Sequence, residues 1–287
     1  MNILVTGADG QLGSELQELA KTAAAHQFIF TDRNTLDITD ASAVADAIAK
    51  SNAQFVINCA AYTAVDRAET DLETAMAINS DGAGILAAAC RQVGARFVHV
   101  STDYVFDGNG TSPYRENDPV DPLNAYGKTK QSGEAAVQEA NVDSIIIRTS
   151  WVYSEFGGNF VKTMMRLMGS RAEVGVVADQ YGSPTYAADL AAAIMHIIDG
   201  GNWVPGIYHF SNDGVITWFE FAEAIREMIG SNCTVQPLTT EQYPTPAKRP
   251  AYSVMDKTKI QQTFGLPLQP WRQSLQRCVQ KLAAANS

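Results

Sequence analysis

The sequence predicts an α/β fold, a doubly wound parallel sheet with a smaller mixed α/β lobe. Three observations predict it. Short apolar runs alternate with longer segments of helical pattern from the N-terminus onward. The first run leads into three glycines at G-x-x-G-x-x-G spacing, Gly7, Gly10 and Gly13. The chemically interesting residues gather where strands end, at Gly10, Ala60-Ala61-Tyr62 and Ser101-Thr102-Asp103. In an open parallel sheet, ligands bind outside the carboxyl ends of the strands.

In chain order, Ile3 to Val5 reads as a buried strand. Gly7 lets the chain turn out of it, Gly10 lets a pyrophosphate approach backbone N–H groups at a helix N-terminus, and Gly13 lets that helix pack on the sheet. A glycine-rich turn without a ligand is the simpler reading. The position between a strand and a helix at the N-terminus favours the cofactor. Gln27 to Thr31 forms the second strand and ends at Asp32-Arg33. Asp32 suits the hydroxyls of an adenosine ribose and Arg33 suits a 2′-phosphate, so NAD and NADP both stay open. Asp37 and Ile38 fall beside an adenine in such a fold, and Thr39 or Asp40 caps a helix over 41–50. Gln54 to Cys59 is the third strand, with small residues at Ala60-Ala61 that let a cofactor lie against the backbone. A long helical pattern spans 65–93, with Asn79 inside it, and Arg96 to Val100 is the fourth strand.

Leu123 to Ala140 reads as a loop and then a helix, Ile145 to Thr149 as a strand, and Asn159 to Met168 as an amphipathic helix. Val174 to Ala178 reads as a strand, Tyr186 to Ile198 as a helix against the sheet, and Gly206 to Phe210 as a last short strand. Thr217 caps a helix over 218–229. A proline-rich loop follows, with Pro237, Pro244, Pro246 and Pro250, and then a final helix over 271–284. The expected division is a dinucleotide-binding (Rossmann) lobe over 1–150, with 171–200 packing back onto it, and a smaller substrate lobe from 151–170 and 201–287.

The chain is 46% hydrophobic, enough for a large core, and carries a net charge of −10. That charge excludes a generic nucleic-acid or anionic-membrane surface. Cys59, Cys90, Cys233 and Cys278 form no C-x-x-C pair, so neither a zinc site nor a disulfide framework is expected. The N-terminus opens on a strand, and no apolar run has membrane-spanning length, so the expected compartment is the cytoplasm.

Tyr126 and Lys130 stand four apart, on one face of a helix. A reduced nicotinamide transfers a hydride, and the alkoxide left from a ketone needs a proton. Tyr126 is the expected donor. An unperturbed phenol titrates near ~10, and the Lys130 ammonium is expected to lower that value and to hold the nicotinamide ribose. Thr102 is placed to hydrogen-bond the substrate carbonyl.

Gly7-x-x-Gly10-x-x-Gly13, Ser101-Thr102-Asp103-Tyr104-Val105-Phe106-Asp107-Gly108 and Tyr126-x-x-x-Lys130 together resemble the extended short-chain dehydrogenase/reductases. The segments at 58–66, 122–130 and 148–153, with 179–185 and Arg249-Pro250-x-x-Ser253, are similar to the dTDP-4-dehydrorhamnose reductase branch, nearly end to end. The resemblance implies NADPH- or NADH-dependent reduction of the C4 ketone of dTDP-6-deoxy-L-lyxo-4-hexulose to dTDP-L-rhamnose. It implies Thr102, Tyr126 and Lys130 as the catalytic set. Gly10, Gln11, Leu12, Asp32, Asp37, Ile38, Ala61, Tyr62 and Thr63 would line the cofactor, and Thr102, Asp103 and Trp151 would contact the sugar nucleotide. Arg249 would meet the diphosphate, which its planar fork suits.

Some members dimerise through magnesium held by glutamates, one of them in the first helix, where Glu15 fits. Ala188 stands where a partner glutamate is expected, which speaks against a magnesium bridge and leaves monomer and homodimer open. Two other readings stay open on sequence alone. One is a reductase or epimerase acting on a different nucleotide sugar. The other is a non-catalytic subunit resembling the regulatory subunit of methionine adenosyltransferase.

Overall fold

The structure, a computed structural model, describes residues 1–285. The first half runs β1 (Asn2–Thr6), α1 (Gln11–Ala20), β2 (Gln27–Thr31), α2 (Ala41–Ser51), β3 (Phe55–Asn58), α3 (Val65–Ala68), α4 (Leu72–Met76), a π-turn (Ala77–Asp81), α5 (Gly82–Val93), β4 (Arg96–Thr102), a 3₁₀ turn (Asp103–Val105) and α6 (Ala125–Ala140). The second half runs β5 (Ile145–Thr149), β6 (Val152–Tyr153), α7 (Phe160–Met168), β7 (Glu173–Val177), β8 (Tyr181–Gly182), β9 (Thr185–Tyr186), α8 (Ala187–Asp199), β10 (Gly206–His209), β11 (Ile216–Thr217), α9 (Trp218–Met228), β12 (Thr234–Leu238), α10 (Thr258–Phe264) and α11 (Trp271–Ala285). Among the described residues no helix is long and apolar enough to cross a membrane.

Six strands form one parallel sheet in the order β10-β5-β4-β3-β1-β2. The chain steps outward from β1 to β2, then returns across β1 to β3. The two crossovers leave on opposite faces, so a crevice opens at the carboxyl ends of β1 and β3. One face is covered by α1 and α8, where Leu16, Leu190 and Ile194 pack on Ile3, Val5 and Ile57. The other face is covered by α2 and α5, where Val44, Ile48 and Leu86 pack on Leu4, Val56 and Phe97. With both faces buried, the strands read as continuous apolar runs rather than alternating ones.

The structure changes three expectations. The 65–93 pattern is broken into α3, α4, the π-turn and α5. The π-turn carries the Asn79 amide into the core, where it accepts from the Tyr62 N–H (2.8 Å) and donates to the Tyr62 carbonyl (3.0 Å) and the Thr129 hydroxyl (2.9 Å). Those three bonds offset the poorer geometry of an expanded turn. The segment at 173–177 does not join the first lobe's sheet with α8; β7 pairs in parallel with β12 over Glu173–Val177 and Thr234–Leu238. Conversely, β10, expected in the smaller lobe, is the edge strand of the large sheet beside β5. The α8 crossover buries Tyr208 on one face while Ile207 packs on the other.

The smaller lobe has its own core, in which Met164, Phe221, Ile225, Leu275 and Cys278 meet between α7, α9 and α11. Thr217 caps α9 in a full capping box with Glu220. Asp40, not Thr39, caps α2.

Candidate active site

At the carboxyl ends of β1, β2 and β3 lies a cleft of about 620 Å³. Gly7, Gly10, Asp32, Arg33, Asp37, Ile38, Ala60, Ala61, Tyr62 and Thr63 all line it, together with Thr39, which the sequence offered only as a helix cap, and Asp9, Leu36, Ala64, Glu73, Thr74, Ala77 and Ile78, which sequence reasoning did not single out. Gly7 sits at φ +67°, and a Cβ there would stand 2.6 Å from the Ala60 nitrogen; only glycine permits β1 and β3 to end so close together. A Cβ on Gly13 would fall 2.3 Å from the Gly7 carbonyl oxygen, so this glycine seats α1 on the turn.

Gln11, Leu12 and Gly13 contribute differently from the cleft walls. The Gln11 amide is bonded across to the Val152 carbonyl and to Asn159, and Leu12 is core. What these three offer is the first-turn N–H groups of α1, which no intrahelical carbonyl can satisfy. Asp32 turns one carboxylate oxygen back on its own loop, accepting from the Asn34 and Thr35 N–H groups and the Thr35 hydroxyl, each at 2.9 Å. Those bonds, the Thr35 hydroxyl first, hold its pKa below the ordinary carboxylate range. Asp37 is held low in the same way by the Thr39 N–H and hydroxyl, and its neighbour Arg33 adds to this. A helix N-terminus capped by Gly10, an acid and a base at the end of β2, and the apolar Ile38 and Ala60 fit a dinucleotide.

The reacting groups come from β4 and α6. Asn124 caps α6 by accepting from the Gly127 N–H (2.8 Å), and its amide donates to the Lys248 carbonyl (2.9 Å), tying the helix start to the proline-rich loop. Tyr126 therefore stands in the first turn of α6, its ring edge-on to Tyr104 with centroids 5.8 Å apart. The Thr102 hydroxyl donates to Asp103 (2.9 Å) and caps the 3₁₀ turn. Lys130, one turn beyond Tyr126, is buried and donates to the Val100 carbonyl at 2.7 Å.

This geometry corrects one expectation. The Lys130 ammonium does not lower the Tyr126 phenol, because it is turned onto the β4 backbone. Desolvation pushes the phenol up to about 12, Thr102 pulling the other way and the Asp103 charge adding to the rise. Burial also lowers Lys130 to about 8, against the opposing Glu134 charge. Asp103 is pushed up to about 6 by burial, with Ser253 and Thr102 opposing, and its Oδ2 is buried without a hydrogen-bond partner. Without cofactor, Tyr126 keeps its proton across neutral pH, the state a proton donor needs.

A second cleft, about 390 Å³, lies between the lobes and is lined by Asp66, Tyr104, Phe160, Gln180, Trp218, Tyr243 and Arg249, among others. The Arg249 Nη2 donates to Asp66 at 2.9 Å, while its Nη1 is buried without a partner. Trp151 is not among the cleft's lining residues. At φ +48° it stacks on Trp218, rings 3.6 Å apart and 12° from parallel, so Trp218 presents the indole face and Trp151 backs it. Trp218, Tyr243 and Gln180 were missed; the only signal for Trp218 was its place just after the Thr217 cap.

Glu15 faces inward. Only 3% exposed, it accepts from the Ser154 hydroxyl (2.8 Å) and lies beside Glu155, which takes Lys281 and the Tyr186 hydroxyl. Burial raises its pKa. Ala188 packs against the smaller core. Among the described residues, no group of three His, Cys, Asp or Glu side chains is arranged to hold a metal ion.

Residues 1–284 match the family model described as the RmlD substrate binding domain. The chain is 44% identical to the spore coat polysaccharide biosynthesis protein SpsK of Bacillus subtilis, over 99% of this chain and 98% of that protein. It is 42% identical to the dTDP-4-dehydrorhamnose reductase of Aggregatibacter actinomycetemcomitans, over 95% and 96% of the two chains. The dTDP-4-dehydrorhamnose reductase of Bacillus anthracis, solved in complex with NADP, superposes with a TM-score of 0.94 at 40% identity, covering 98% of this chain and 99% of that one. Matched from end to end in sequence and in architecture, the chain belongs to the RmlD family of dTDP-4-dehydrorhamnose reductases.

Proposed function

We propose that this protein reduces the C4 ketone of dTDP-6-deoxy-L-lyxo-4-hexulose to dTDP-L-rhamnose, using NADPH or NADH. The observation that carries the reading is the Tyr126 side chain within hydrogen-bond reach of Thr102 at the end of β4, the strand paired with β3, whose carboxyl end leads into the glycine-turn cleft. A bound dihydronicotinamide supplies the hydride. Gly7, Gly10 and the N–H groups of Gln11, Leu12 and Gly13 hold the pyrophosphate. Asp32 serves the ribose hydroxyls and Arg33 a 2′-phosphate, so both cofactors are accommodated. Asp37, Ile38 and Ala60 to Thr63 line the rest of the cofactor, and Lys130 holds the nicotinamide ribose.

Thr102 orients the ketone oxygen, and Tyr126 Oη donates the proton as charge develops there. Positioned general acid catalysis of this kind contributes about 10²–10⁴-fold. Asp103 and Trp151, the latter through Trp218, shape the sugar site, and the free Nη1 of Arg249 takes the diphosphate. We place the enzyme in the cytoplasm, as a monomer or homodimer, acting on a dTDP-sugar and not on nucleic acid.

The test is Tyr126→Phe in a coupled assay that generates the ketosugar in situ, with NADPH and NADH run in parallel. A loss of at least about 100-fold in kcat with cofactor affinity retained supports the assignment. Near-full activity rules it out.

A further inference from the structure

A chain of buried polar groups joins the glycine turn to Lys130, and its hydrogen-bond polarity can be read from one end. The Ala60 N–H can only donate, and it points at the Asn58 side chain at 3.1 Å; the atom it meets must be the amide oxygen. The Thr6 hydroxyl donates to the same oxygen at 2.7 Å. The Asn58 NH₂ must then be the group that faces His99 Nδ1, at 3.0 Å. An NH₂ only donates, so Nδ1 presents its lone pair and a neutral imidazole carries its proton on Nε2. His99 is 1% exposed, and burial together with the Lys130 charge keeps it neutral well below its ordinary value. Its Nε2 lies 3.4 Å from Lys130 Nζ.

From this chain we propose that His99, locked as the Nε2–H tautomer by Asn58, is a positioning residue for Lys130, setting a donor against Nζ so that the ammonium can spend no hydrogen inward. One Lys130 hydrogen goes to the Val100 carbonyl at 2.7 Å. With the histidine side closed, the others remain for the cofactor ribose that the proposed function assigns to Lys130. The same opposition of donors favours loss of a proton from Nζ, because the neutral amine offers His99 an acceptor. One ionisable group acts on Lys130 through its charge: Glu134, one turn on in α6, favours the ammonium. The neutral His99 on β4 meets Nζ with an N–H bond and not with a charge. Asp103, in the turn after β4, acts on Tyr126 instead, and the π-turn against α6 presents the neutral Asn79, bonded to Thr129.

The inference rests on the reductase reading for its purpose, but its test needs no turnover. The full cofactor-free protein is labelled with ¹⁵N-histidine; it has four histidines, and His99 is assigned by its loss in His99→Phe. The expected spectrum shows an unprotonated Nδ1 and a protonated Nε2, the same tautomer at every pH between 6 and 9. A protonated Nδ1, or an imidazolium at neutral pH, overturns the proposal without touching the reductase assignment.

Asn58→Asp then reverses the chain, since a carboxylate accepts from Nδ1–H and turns Nε2 into an acceptor. Lys130, followed by its ¹³Cε shift, is expected to hold its proton at least ten-fold more tightly. In the His99→Phe background the same change retains only its through-space charge and is expected to have a smaller effect. An equal shift in both backgrounds overturns the role of the imidazole. Should Asn58→Asp fail to fold, the wild-type spectrum still decides.

Discussion

Arg148→Met is the substitution whose cost is most directly worked from the structure. Arg148 and Glu134 form a two-pronged pair, Nε to Oε1 at 2.9 Å and Nη2 to Oε2 at 2.7 Å, with side chains only 3% and 5% exposed. The Ser101 hydroxyl adds a third bond to Glu134 at 2.5 Å, and the guanidinium lies over the Phe106 ring, 5.0 Å from its centre. Methionine fills much of the volume but leaves a buried carboxylate with one hydroxyl for company. Breaking a buried pair from one side costs about 3–5 kcal/mol. At roughly 2–4 °C per kcal/mol for a chain of this order of size, the melting temperature falls by roughly 6–20 °C.

The cost falls on the carboxylate left behind, buried and without its cation. Glu134→Gln added to Arg148→Met removes that charge and recovers part of the loss. Calorimetry at pH 8 on the wild type, the single variant and the double variant is the assay. A single variant that loses less than about 1 kcal/mol, or a double variant that recovers nothing, refutes the claim that an uncompensated charge is the cost.

Two further outcomes follow from the site. Arg249→Ala removes a buried guanidinium nitrogen that has no protein partner at the inter-lobe cleft; with a charge-assisted bond worth about 1.5–3 kcal/mol, KM for the dTDP-sugar is expected to rise roughly 10- to 150-fold with a smaller change in kcat. An unchanged KM in steady-state kinetics removes Arg249 from the diphosphate site. Glu15→Gln addresses the carboxyl pair: burial and the Glu155 charge lift Glu15 from 4.5 to about 7, so the wild type loses stability as pH climbs through that window. The amide variant is expected to melt higher than wild type at pH 8, by an amount of order 1–3 kcal/mol, and to match it below pH 4.5. Equal melting curves at pH 8 would show that Glu15 gives up its proton at no cost.

The large sheet was legible because its central strands β1, β3 and β5 are buried on both faces and so stand out as apolar runs. The switch point was legible because the Gly7 turn has a steric requirement that only one residue type meets. Neither signal reaches the π-turn. A helical repeat sees 65–93 as continuous, whereas the break is decided by where the Asn79 amide finds its three partners, two of them on Tyr62 and one on Thr129. Strand allegiance was equally hidden. Val174 to Val177 and Ile207 to His209 have similar local character, and what separates them is the crossover that delivers each one: α8 carries β10 back to β5, while β7 waits for β12, some 60 residues later.

The site divides along the same line. Tyr126 and Lys130 are one helical turn apart, so their common face is written into the spacing. The effect of one upon the other is not, because it depends on what else Nζ can reach. In the folded chain the Val100 carbonyl takes the ammonium and desolvation governs both groups, so the two pKa values move apart, Lys130 down to about 8 and Tyr126 up to about 12. The consequence is chemical. A phenol that holds its proton at neutral pH is an acid ready for an alkoxide, and a lysine that titrates close to neutrality can accept or release one beside it. Burial thus supplies the asymmetry between donor and neighbour that proximity alone was expected to provide, and that burial exists only once α6 has packed against β4.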